Sequence, residues 1–161
     1  MARDHARIKV AIWRDQDFLA LKVAEQHCFM SLLSNGGLSR VGVVDYVPAR
    51  FVRLAADQSE PKFRRAVKAL RDSRFVLVDE RTQELLIRSY VRLDGVFDRV
   101  NMGKAVGTAF ESVVSTSLTQ AIGHELARHM KEYPDLPGWE GLAATSPTAY
   151  EMATGFESRI Q

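Results

Sequence analysis

A chain of 161 residues with 46% hydrophobic and 26% charged content has enough apolar side chains for one domain, or one small domain with an appendage, and this composition excludes general disorder. No uncharged apolar run reaches the ~18 residues of a membrane span. No apolar run that would make a signal peptide follows the basic N-terminus, and the single Cys28 excludes an intramolecular disulfide framework and suits a reducing cytoplasm. The net charge of +2 hides an asymmetry: residues 1–76 hold 14 Lys and Arg against 8 Asp and Glu, the remainder 8 against 12. A polyanionic partner is therefore expected for the basic N-terminal part, with the acidic remainder outside that contact.

In chain order, "ARIKVAIWRDQDF" reads as a short extended lead-in, with Ile8, Val10 and Ile12 alternating against polar neighbours. From Leu21 to Ser34, Ala24, Cys28, Leu32 and Leu33 recur at helical spacing, and Asn35-Gly36-Gly37 supplies a stop tolerant of left-handed backbone. Cys28 within this helix reads as a small buried hydrophobe. "VGVVDYV" (41–47) is short and β-branched, hence a strand. Pro48 then opens a second helix with Phe51, Leu54 and Ala55 on one side.

After a turn at 57–61, a third helix runs from Glu60 to Ser73, with Ser59 as its N-cap. It places Lys62, Arg64, Arg65, Lys68, Arg71 and Arg74 within thirteen residues, yet keeps Phe63, Ala66, Val67 and Leu70 on one seam. Two strand-like runs, "RFVLVDE" and "ELLIRSYVR", follow as a hairpin turning near Glu80–Gln83. Downstream, Met102, Val106, Ala109 and Val113, with Phe110 beside them, mark one amphipathic helix. Leu118, Ile122, Leu126 and Met130 mark another, capped from Ser115–Ser117. Residues 134–161 mix Pro, Gly, Ser and Thr with isolated aromatics and read as a flexible tail.

Helix, strand, helix, turn, helix, hairpin is the order of a winged helix-turn-helix, so the fold class expected is mainly α with a small β-hairpin wing (α+β). The expected domains are a winged helix at 7–95, a helical pair at 98–133 and the tail. "RIKVAIWRDQDFLAL", "GVVDYVPARFVRLAAD" and "LLIRSYVRLDGV" together resemble the N-terminal part of small actinobacterial phage and prophage helix-turn-helix or replication-initiation proteins, akin to the N-terminal domain of phage replisome organisers and DnaD-type primosome proteins. The resemblance covers about residues 7–100. It implies a winged helix on double-stranded DNA, with a C-terminal part for self-association or for recruiting replication machinery such as a helicase or its loader.

Several patterns imitate catalytic motifs. In "HELARH", His124 and His129 are five residues apart, roughly 140° around a helix, and Arg128 takes the position a zinc-protease histidine needs, so no metal site is expected and both His read as surface or pair-forming residues. Gly103 and Gly107 in "GKAVG" lack the phosphate-loop context and fit close helix packing instead. Asp15 with Asp17, and Asp94 with Asp98, are carboxylate pairs without a companion His or Lys pattern, and Asp17 suits a helix N-cap. His27 reads as boundary packing, and Trp13 and Trp139 lack the aromatic neighbours of a single-strand stacking platform. The sequence thus predicts no enzyme and no cofactor.

The expected function is sequence-specific binding of double-stranded DNA in the cytoplasm of a bacterial host, without a membrane. Arg65 and Lys68 lie opposite the apolar seam and suit base edges, while Lys62, Arg64 and Arg71 suit phosphates. Arg50, Arg53 and Arg81 would support them. A homodimer is expected through Met102, Val106, Phe110, Val113, Leu118, Ile122, Leu126 and Met130. Replication initiation leads as the role. A transcriptional repressor or activator with the same DNA surface, and an adaptor binding a host protein without DNA, are the alternatives.

Overall fold

The computed structural model describes residues 3–93 and 95–155. They are mainly helical, with one small three-stranded antiparallel sheet. The chain divides into two compact units. One is built from the chain through Leu38 together with Val44–Ile87, the other from Ser39–Val43 and the chain from Arg88 onward. Among the described residues no helix is long and apolar enough to cross a membrane.

In the first unit the lead-in is not extended. Val10–Arg14 forms a 3-10 turn and Gln16–Leu19 a short helix, α1. Alternation makes a strand only where a sheet edge accepts it, and here Ile8 and Val10 stay exposed while only Ile12 is partly covered. The N-cap is Asp15 rather than Asp17: its carboxylate accepts from the Asp17 and Phe18 amides at 2.9 and 3.2 Å. Phe18 is fully buried and meets Phe29 and Phe75. Phe29 belongs to α2 (Val23–Leu33), whose buried side is Cys28, Phe29 and Leu32, with Ala24 exposed. Burial pushes the Cys28 thiol up to about 12, so it stays protonated and inert. The stop after α2 uses Asn35, whose side chain accepts from the Gly37 amide at 2.8 Å, and neither Gly36 nor Gly37 is left-handed.

Strand β1 (Val43–Asp45) leads to Pro48–Leu54, which is a 3-10 helix where an α-helix was expected. Three residues per turn eclipse i and i+3, and the two buried positions, Pro48 and Phe51, have that spacing. Phe51 stacks on Phe63 at 4.4 Å, which anchors α3 (Glu60–Asp72). Ser59 Oγ caps α3 by accepting from the Lys62 amide at 3.3 Å. Phe63, Ala66, Val67 and Leu70 are all buried, as their spacing predicts; each large side chain contributes about 1.5–3 kcal/mol by leaving water.

The helix closes with Phe75 N donating to Leu70 O at 2.8 Å, and Arg74 occupies the left-handed position at φ 64°. Strands β2 (Val76–Asp79) and β3 (Glu84–Ile87) then pair antiparallel, Val76 opposite Ile87 and Asp79 opposite Glu84. The Asp79 carboxylate ties the turn by accepting from the Arg81 and Thr82 amides. β3 is central, in the order β1-β3-β2.

The main segment of the second unit starts at Arg88, ahead of the helical pair expected from residue 98. Its helices are α4 (Tyr90–Leu93), α5 (Val100–Glu111), α6 (Thr116–Glu132), α7 (Gly138–Thr145) and α8 (Pro147–Gly155). The early boundary has a charge-pairing cause: Arg88 and Arg92 reach Glu125 on α6. Residues 138–155 are therefore helical and packed, which corrects the flexible-tail expectation for that stretch; 156–161 lie outside the described residues. Trp139, Leu142, Ala149 and Ala153 are buried. The reason is close backbone packing. A Cβ on Gly103 of α5 would fall on the Gly138 carbonyl oxygen, and one on Gly141 of α7 would stand 2.7 Å from Lys104 N. Gly103 and Gly107 thus serve helix approach, as their spacing suggested.

Candidate nucleic-acid interface

The seam of α3 faces the core, so the remaining arc of the helix faces outward. Lys62, Arg64, Arg65, Lys68, Arg71 and Arg74 are all exposed. They divide by their partners. Lys62 donates to Asp57 O at 2.7 Å and lies 3.8 Å from its carboxylate. Arg64 is 4.0 Å from Glu60 and 6.0 Å from the Tyr46 ring centre. Lys68 Nζ is 2.6 Å from Asp72 Oδ2, an ammonium contact that holds the Asp72 carboxyl below the usual carboxylate range. Arg65, Arg71 and Arg74 make no ion pair among the described residues.

The acids on and before α3 thus engage three of these six cations, more than their scarcity in the sequence implied. These contacts join exposed side chains, for which ion pairing contributes about 0–1 kcal/mol. A phosphate competes for such cations at little cost in fold stability. Tyr46, buried beneath Arg64, has its phenol pKa raised chiefly by that burial, against the opposing pull of the Arg64 charge.

The supporting cations are dispersed. Arg50 pairs with Asp45 at 3.2 Å. Arg53 lines a groove of about 640 Å³ with His27, Met30, Ser34 and Leu54, alongside the end of α2. Arg81 is exposed in the β2–β3 turn. Arg74 was the cation left out of the expected contact set, and its left-handed backbone places it at the end of α3 beside Arg71. Its signal in the sequence is the direct change from "LRDS" to "FVLV" without a glycine.

The expected dimer face is corrected. Val106, Phe110, Leu118, Ile122 and Leu126 are buried within the second unit, and Met102, Val113 and Met130 are half-covered. α7 packs on α5 and α8 on α6, so the stripes that were to meet a second copy already have an intramolecular partner.

His129 is also corrected: it is buried between Phe97, Tyr133 and Trp139, at ring distances of 5.6, 5.2 and 5.7 Å. Its Nδ1 has no hydrogen-bond partner among the described residues. His124 is exposed. Asp15 is spent on capping α1, and of the second carboxylate pair Asp94 lies outside the described residues.

No protein-family model matches this chain, and neither a curated protein nor a solved structure matches it at a significant level.

Proposed function

We propose that the protein binds double-stranded DNA, with α3 as the element entering the major groove in the manner of a winged helix-turn-helix. One observation carries this reading: five exposed cations on a helix whose opposite side is buried and a sixth, Arg74, just past its end, with Arg65, Arg71 and Arg74 making no ion pair among the described residues. The order of elements supports it, with β1 alongside the β2–β3 hairpin that would act as the wing. The 3-10 helix before α3 is the departure from that pattern. Arg65, projecting opposite the seam, is the residue for base edges, since bidentate arginine on guanine is the commonest specific contact. Arg71 and Arg74 hold phosphates.

Replication initiation in a phage or prophage is the role that the sequence resemblance implies, with a helicase or loader as onward partner. Mapping the bound site tests it against transcriptional control: repeats within a replication gene support the first, promoter overlap the second. The binding itself is tested by affinity for duplex DNA across a salt series, where each phosphate contact adds about −0.9 to the log–log slope. Absence of affinity at low salt overturns the proposal. An adaptor that binds a host protein is the second reading. The pairing of Lys62, Arg64, Lys68 and Arg50 with neighbouring acids favours it, because those acids offset part of the positive charge offered to a polyanion.

A further inference from the structure

Glu125 is buried on α6, 4% exposed, and three guanidinium groups lie within 4 Å of its carboxylate. One well-placed arginine offsets the charge of a buried carboxylate; three carry more positive charge than Glu125 and the neighbouring Glu132 together compensate. Arg92 makes the close contact, at 3.2 Å to Oε2, and extends to Glu132 at 3.9 Å. Arg88 and Arg128 approach the other oxygen, Oε1, at 3.8 and 3.5 Å. Arg88 stands beyond hydrogen-bond range there, at 3.8 Å, and Arg128 Nη1 donates a long hydrogen bond, at 3.5 Å. Their side chains remain 33% and 61% exposed, and each guanidinium carries five N–H donors. Arg92 Nε adds a buried donor with no acceptor among the described residues. Among the described residues the cluster therefore has more donors and more positive charge than its own acceptors satisfy.

We infer that Arg88 and Arg128, gathered at Glu125 Oε1, form an oxyanion site that takes a phosphate group. A tetrahedral phosphate offers several acceptor oxygens and accepts bidentate bonds from more than one guanidinium. It relieves the repulsion among the three arginines and supplies the acceptors they lack. The phosphate comes either from a nucleic-acid backbone or from a free phosphate ester. The site stands on the second unit's own geometry and does not depend on α3 binding DNA.

The test uses the full chain and inorganic phosphate as probe, titrated at constant ionic strength against chloride. Phosphate raises the melting temperature of the wild type, and the double variant Arg88→Gln/Arg128→Gln loses about tenfold or more in apparent phosphate affinity. Glu125→Gln has the opposite effect: with the competing carboxylate gone, phosphate binds more tightly. Arg128→Gln alone, at the most exposed of the three side chains, preserves the test should the double variant not fold.

In the nucleic-acid arm, loss of both arginines makes the log–log salt slope for duplex DNA shallower by about 2, which identifies a backbone phosphate. A phosphate response with an unchanged slope identifies a free phosphate ester. A wild type insensitive to phosphate, with a slope indifferent to Arg88 and Arg128, overturns the site while leaving α3 binding intact. Phosphate binding in a protein without duplex affinity leaves the site standing and removes the DNA reading.

Discussion

Lys68 and Asp72 sit one turn apart on the outer face of α3, their charged atoms 2.6 Å from each other. The pair places an acid on the same outward arc as Arg65. A phosphodiester approaching Lys68 must displace that carboxylate and also meets its negative charge. Asp72→Asn removes both obstacles, so affinity for duplex DNA at low salt rises about two- to fivefold, the worth of an exposed pair. Fluorescence anisotropy on one labelled duplex measures it. Unchanged or weaker binding would show that Lys68 faces away from the nucleic acid.

Arg74 has a left-handed backbone, φ 64°, at the end of α3, where glycine is the unstrained choice. Arg74→Gly therefore stabilises the fold by about 1 kcal/mol while lowering the steepness of the salt dependence by about 0.9. Urea unfolding and the salt series read the two effects separately. A stabilised variant whose binding does not change removes Arg74 from the interface.

Gly103 packs directly on the Gly138 carbonyl, leaving no room for a Cβ. Gly103→Ala gains helix propensity, yet forcing α5 and α7 apart costs about 3 kcal/mol. Gly36 has nothing within 4 Å of its Cβ position and no positive φ. Gly36→Ala is the matched control and raises stability by about 0.4–1 kcal/mol. Equal effects in denaturant unfolding would refute the close-packing account.

His129 has its pKa lowered from 6.5, by burial first and by the Arg92 charge second. In the folded protein the ring stays neutral at a pH where the unfolded chain already binds the proton. Acidification through 6.5 therefore favours unfolding, and stability falls until the folded pKa is reached. The steepest slope this one group supplies is about 1.4 kcal/mol per pH unit. His129→Phe keeps an aromatic ring against Phe97 and Trp139 and removes the titration, which flattens the curve of stability against pH in that window. A curve of unchanged slope would assign the dependence to other groups.

The periodic signals were legible because each depends on neighbours in sequence. Phe63, Ala66, Val67 and Leu70 predict both the buried side of α3 and the outward direction of its cations, and the β-branched runs at 75–88 predict the hairpin. What escaped depends on distant partners. Lys62 turns back to Asp57 across the turn, not along the helix. Glu125 looks like a surface residue until Arg92 arrives from α4 and Arg88 from the residues just before it.

The sequence of residues 138–155 misleads for another reason. Their Gly, Ala, Thr and Pro composition resembles a loop, yet the same small side chains let α7 lie against α5 at backbone distance. A stripe such as Leu118, Ile122 and Leu126 reveals that a face is covered, and says nothing of whether the cover is the same chain or another.

Because α7 and α8 complete the second unit, their place in the chain governs the order of its assembly. As the polypeptide leaves the ribosome, Val106, Phe110, Ile122 and Leu126 emerge ahead of the segment that shelters them. Truncation near Glu132 would turn that interval into a permanent state, presenting a sticky apolar surface that drives aggregation. The small-residue helices α7 and α8 thus supply the cover that the apolar faces of α5 and α6 require.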